Sequence, residues 1–212
     1  MMTFRKCLVA LSLLAVSAAP AFADAKTEEY VRVNANDVLQ SLNAPDLDEV
    51  GRRAAFQKYM DEFANIDAVA KFAIGKYSKR FTPEEMDAYI KTFRNYALVV
   101  YEYYFNAYRG KDVKVVGSTD RNANDSIVDT KIIREDGREM DVRWRVLNRR
   151  GNYQVVDVAL NTDGNLIWLG IEQQAQFISI LDQSNGSADA LISKINSMTD
   201  DLIAIRGSET LD

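Results

Sequence analysis

The sequence predicts an α+β fold: an antiparallel sheet of about four strands covered by several helices, with an apolar cleft between them. Three observations support this reading. Apolar residues recur every three or four positions up to Tyr108, at every second position from Val113 onward, and at helical spacing again near the C-terminus. The turn signals Asp136-Gly137 and Arg150-Gly151 separate the alternating runs, as short antiparallel connections require. Helices, then strands, then helices, segregated in that order, belong to α+β rather than α/β architecture.

Residues 1–23 have the composition of a secretory signal peptide. Arg5 and Lys6 precede an apolar run, and Ala21-Phe22-Ala23 supplies a small-x-small cleavage site, so the exported chain is expected to begin near Asp24. The apolar run is too short to span a bilayer. Residues 24–205 then form one domain, and 206–212 a loose tail. Residues 25–41 form a first helix, with Tyr30, Val33, Val38 and Leu42 inward. Asn43-Ala44-Pro45 ends it, and Asp46 is placed to cap a second helix reaching about residue 64. A third helix spans residues 67–75, with Gly75 as its stop.

The longest helix, residues 82–108, opens on the capping box Thr82-Pro83-Glu84-Glu85, with Phe81 and Met86 as its hydrophobic staple. Met86, Ile90, Phe93, Ala97, Val100 and Tyr104 form one stripe, joined in the second half by Leu98, Tyr101, Phe105 and Tyr108. A helix that is apolar nearly all round is buried on several sides. Strands follow at residues 113–116, 127–134, 139–147 and 152–160, with a brief one at 165–169. Val128, Thr130, Ile132, Met140, Val142, Trp144, Val146, Val156, Val158 and Leu160 alternate onto one face. One greasy face needs a cover, and the long helix with its neighbours is expected to provide it. Helices at about 171–181 and 187–204 complete the chain.

Composition excludes several chemistries. There is no histidine, and the single cysteine, Cys7, lies in the leader. Ser-His-Asp and Cys-His catalysis, structural zinc and disulfides are thereby removed, and phosphate-loop and dinucleotide fingerprints are missing. Neither a cofactor nor a metal is expected. Without Arg5 and Lys6 the 26 basic residues become 24 against 31 acidic ones, a net charge of −7. That argues against a nucleic-acid partner and against rest on anionic lipid. The run Asp120–Asp125 begins like a calcium loop, but Asp125 stands where glycine is needed and Lys131 where a bidentate glutamate belongs, so a polar turn is expected. Asp157, among valines, is expected to join a cross-strand ion pair on the face of Arg143 and Arg145.

The positive signal is aromatic. Seven aromatic residues fall between Phe93 and Tyr108, and Trp144 and Trp168 come from the strand region. Ligand pockets are mostly apolar with a few polar groups, and tyrosines supply both. Stripe and alternation select Phe72, Phe93, Val100, Tyr104, Val128, Val142, Trp144, Val146, Val156 and Val158 as candidate lining residues.

The order and wording of several stretches resemble the MlaC family, also called the toluene-tolerance Ttg2 family, of periplasmic phospholipid-binding proteins. These are Asp67-Ala68-Val69-Ala70-Lys71-Phe72-Ala73-Ile74-Gly75-Lys76-Tyr77, Phe81-Thr82-Pro83-Glu84-Glu85, the Tyr-rich helix end, Tyr153-Gln154-Val155-Val156-Asp157-Val158 and Gln176-Phe177-Ile178-Ser179-Ile180-Leu181. The resemblance implies a monomeric shuttle. It would carry phospholipid between an outer-membrane lipoprotein complex and an inner-membrane MCE-domain ABC transporter, maintaining outer-membrane lipid asymmetry. Family members usually carry Gly-x-Ser-Leu and an arginine where this chain has Leu166-Ile167-Trp168-Leu169 and Gln174, which leaves open a paralogue for another lipid, such as a hopanoid. Two other classes stay open: a cone-shaped α+β enzyme using Asp157 and Tyr153, and a protein-binding or envelope-structural module.

Overall fold

The computed structural model describes residues 25–106, 110–134, 137–162 and 164–209. The proposed leader therefore lies outside the described residues. Helix α1 spans Ala25–Leu42. Helix α2, Glu49–Phe63, starts at Asp48 rather than Asp46; the Asp48 carboxylate accepts from the Gly51 amide at 2.7 Å. Helix α3, Ile66–Ala73, is capped by Asn65, whose side-chain oxygen accepts from the Ala68 amide at 3.0 Å. Gly75 follows with φ +48°, in the left-handed region that favours glycine, and opens a 3-10 turn over Gly75–Lys79.

Helix α4, Pro83–Asn106, begins on the predicted capping box. The Thr82 hydroxyl accepts from the Glu85 amide at 3.2 Å, and the Glu85 carboxylate accepts from the Thr82 amide at 2.8 Å. The predicted end of this helix, Ala107 to Arg109, lies outside the described residues.

Five strands, rather than about four, pair antiparallel in chain order: β1 Gly110–Asn122, β2 Asp125–Arg134, β3 Glu139–Arg149, β4 Asn152–Thr162 and β5 Asn165–Trp168. β1 is much longer than the predicted 113–116. The Asp120–Asp125 run is itself the β1–β2 hairpin, with Asn122 paired to Asp125. At the β3–β4 turn Arg150 and Gly151 have φ of 58° and 87°, the paired positive values of a tight hairpin whose twist matches its strands. Helices α5, Leu169–Gln183, and α6, Ala188–Glu209, close the chain, α6 running past the expected start of the tail.

One sheet face is filled by packing. Val128, Ile132, Met140, Val142, Trp144, Val146, Val155, Val158 and Leu160 are all buried there. The cover, however, is α1 and α2 rather than α4. Tyr30 lies 5.6 Å from the Tyr153 ring and Phe63 5.3 Å from Trp144. Helix α4 packs chiefly on α6, α3 and α5, where Phe177 meets Tyr89, Phe93 and Tyr96 at 6.5, 6.1 and 6.2 Å. The stripes of α1 and α2 already occupy the sheet, and the aromatics of α4 find their partner in α5.

A second correction concerns β4. Arg145 pairs with Asp157 but Val146 with Val155, so Val156 is an inserted bulge residue. The bulge reverses the alternation. Val155, Val158 and Leu160 face the packed side, while Val156 and Asp157 leave it.

Candidate functional site

The far face of the sheet is only partly covered. Helix α3 leaves the free edge of β4, where the Asn65 amide donates to the Val155 carbonyl at 3.2 Å, and runs over the outer side of β3 and β4. Between them lies a groove of about 310 Å³. Its apolar lining comes from Val69 and Phe72 of α3, Leu147 of β3 and the bulged Val156, and Arg145 and Arg149 contribute cations. Phe72 is 43% exposed, unusual for so large an apolar side chain. A smaller crevice of about 30 Å³ lies beside it between α3, α4 and α5, lined by Val69, Phe93, Tyr96, Val100, Tyr101, Leu169 and Gln173. Val69 borders both spaces.

The two spaces also meet at Asp157 and Gly170. Asp157 lines the groove and Gly170 the crevice, and the Asp157 carboxylate accepts from the Gly170 amide at 2.8 Å. It also accepts from the Val158 amide at 2.8 Å. A Cβ on Gly170 would stand 2.9 Å from that same carboxylate oxygen, so the approach requires glycine. This replaces the expected ion pair. Arg145, opposite Asp157 in the sheet, directs its guanidinium to Asp125 at 3.1 and 2.9 Å. Burial pushes the Asp157 carboxyl above its ordinary value, opposed by the two amides and by the charge of Arg145. Tyr101, partly buried and near that carboxylate, has its phenol pushed far up, chiefly by desolvation.

Helix α3 is held by polar tethers at its ends and middle. Asn65 donates to Gln154 at 3.0 Å, the buried Tyr89 hydroxyl donates to the Ala70 carbonyl at 2.8 Å, and Gln174 donates to the Phe72 carbonyl at 2.6 Å. Arg94 reaches Asp67 at 2.8 Å.

The ten predicted lining residues thus divide. Phe72 and Val156 line the groove, and Phe93 and Val100 the crevice. Val128, Val142, Trp144, Val146 and Val158 are buried on the packed face. The side chain of Tyr104 lies outside the described residues. Val69, Leu147 and Gln173 are lining residues that alternation and stripe did not select. The adjacent pair Val155-Val156, which breaks the strand's alternation, was the available signal for a bulge. Asp157 and Tyr153 are not brought together: Tyr153 stacks near Tyr30 on the packed side, and Asp157 faces the groove. Among the described residues no three His, Cys, Asp or Glu side chains cluster to hold a metal ion, and no helix is long and apolar enough to cross a membrane.

The family model described as MlaC protein matches residues 32–197. The chain belongs to the MlaC family. Six chains among solved structures match. One is a phospholipid-binding protein from Ralstonia solanacearum, solved in complex with a phospholipid. It shares 19% identity over 85% of this chain and 99% of that one, with a TM-score of 0.70, which establishes a common fold. Among curated proteins there is no match.

Proposed function

We propose that this MlaC-family protein is a periplasmic carrier, exported by its N-terminal leader, whose residues 24–205 act as one lipid-binding domain. It takes phospholipid acyl chains into the groove and crevice beside α3 and performs no bond chemistry. The observation that carries the proposal is the pairing of an unfilled apolar groove, Phe72 and Val156 on its walls, with membership of the MlaC family. The phospholipid bound by the Ralstonia protein of the same fold supports the ligand class.

Two acyl chains hold about 30 methylenes, and at ~0.8 kcal/mol each their exposure to water costs about 24 kcal/mol. A carrier need only replace the bilayer's burial with its own, so loading and release stay near balance. The crevice alone has room for about two waters. Loading therefore requires α3 to move away from α5 and the sheet, merging crevice and groove, with acyl chains inside and Arg145 and Arg149 near the phosphate. The partners in this reading are an outer-membrane lipoprotein complex and an inner-membrane MCE-domain ABC transporter, and the cellular role is outer-membrane lipid asymmetry.

Organic extraction and mass spectrometry of protein purified from cells is the test. Co-purifying phospholipid at about one molecule per chain is expected. A lipid-free preparation that also takes nothing from vesicles overturns the carrier reading.

A further inference from the structure

The groove does not end at Arg149. Leu147 and Arg149 also line a second, open recess of about 650 Å³, bordered by Arg150 at the β3–β4 turn and by Asn122 and Asn124 at the β1–β2 turn. Although the chain has more acidic than basic residues, the free charge here is positive. Arg149 and Arg150 are both exposed, and neither guanidinium has an ion pair or a hydrogen bond among the described residues. Nearby arginines are matched: Arg143 meets Asp129 at 2.6 Å, and Arg121 and Arg145 share Asp125. The two carboxylates on the walls are already engaged. Asp125 is buried between those two arginines, and the buried Asp157 accepts from the Gly170 and Val158 amides. Groove and recess together therefore offer two uncommitted cations and no uncommitted carboxylate.

We propose that the recess is a headgroup site that selects anionic over zwitterionic phospholipids, with Arg150 as a specificity-determining residue. This inference rests on the carrier reading, in which the phosphate lies near Arg145 and Arg149. Acyl chains then run toward Val69 and Phe72, and the headgroup leaves past Arg149, the cation common to both spaces, into the recess. An ammonium carried there meets two guanidinium groups and no free carboxylate. A glycerol hydroxyl or a second phosphate meets no such repulsion, and the net negative charge of the lipid is matched. An exposed charge contact changes affinity by up to about fivefold, and salt screens it.

The test loads the delipidated full chain to equilibrium from vesicles holding equal phosphatidylglycerol and phosphatidylethanolamine with matched acyl chains, and reads bound lipid by mass spectrometry. Both lipids share one vesicle, so attraction to its surface speeds their loading alike and leaves their ratio unchanged. At low salt the wild type is expected to favour the glycerol lipid by about fivefold. At 1 M salt, where the screening length is about 3 Å, the ratio is expected to fall within about twofold. Arg150→Asn suits the left-handed turn position, where φ is 58°; it is expected to melt no lower than wild type and to bring the low-salt ratio within about twofold. Arg143→Gln removes the same charge from elsewhere on β3 and is expected to keep the preference. Equal loading of both lipids by the wild type overturns the selection while leaving the carrier intact. So does a preference that survives Arg150→Asn or 1 M salt, or one that Arg143→Gln removes as fully. No uptake of either lipid overturns both.

Discussion

The two faces of this sheet are built from the same strands and do opposite things. On the packed face Trp144 is 3% exposed, and its indole N–H donates to the Thr130 hydroxyl at 2.8 Å, which in turn donates to the Val142 carbonyl at 3.1 Å. The indole and the hydroxyl both donate there, and α1 and α2 pack over that face. On the far face, one residue further along β3, Arg145, Leu147 and Arg149 line the groove beneath the short helix α3, Arg145 also reaching Asp125, and space remains. The comparison teaches that open space arises where one face is under-covered, while the closed face holds the fold together.

Substitutions separate the two roles. Trp144→Ala is expected to cost about 3–5 kcal/mol in urea unfolding, the range for removing a large buried aromatic. Phe72→Asp, on the open face, is expected to change stability by less than about 1 kcal/mol, because surface changes are usually small. It should nonetheless remove most lipid uptake from vesicles, because a carboxylate then sits where an acyl chain would lie. Equal stability losses at the two positions would dissolve the distinction between the faces.

Loosening α3 should have a smaller and opposite effect on exchange. Asn65→Ala removes both the helix cap and the bond to Gln154, at about 1 kcal/mol for the cap. Faster uptake of fluorescent phospholipid in stopped flow is the expected result, and unchanged kinetics would show that α3 does not gate the groove.

The smallest effect is in pH. Asp157 holds its proton to higher pH in the native protein than in the unfolded chain, where its value is the ordinary 3.8. Across the window from 3.8 to the raised value the folded state binds more protons, so stability falls as pH rises through it and is level above. Asp157→Asn keeps an oxygen for the Gly170 and Val158 amides but cannot ionise. Its stability relative to wild type is expected to be higher at pH 8 than at pH 3, and no change in that difference would place the titration elsewhere.

Much of the fold was legible in the sequence, for identifiable reasons. The capping box at Thr82, the hairpin turn at Arg150-Gly151 and the inward set Met140, Val142, Trp144, Val146 are local signals, each read from a few neighbouring residues. What escaped was non-local. That α1 rather than α4 covers the sheet depends on which stripe reaches it, and periodicity alone does not rank stripes. The groove's side of the sheet escaped, although Phe72 and Val156 were selected for its lining, because Val156 looks like a regular strand residue until its register against Val146 is known. Gln173 and Leu147 carry no pattern at all; only the approach of α3 and α5 makes them lining residues. The Asp157–Gly170 contact joins residues thirteen apart, and the expected partner Arg145 was drawn off by Asp125 from another strand.

The most direct test loads the protein with a phospholipid bearing a photoreactive group midway along an acyl chain, irradiates it, and locates adducts by residue-level mass spectrometry. Adducts on Val69, Phe72, Leu147 and Val156 are expected. Adducts concentrated on Val128, Val142 and Trp144 would contradict the account, because they would place the chains inside the packed face.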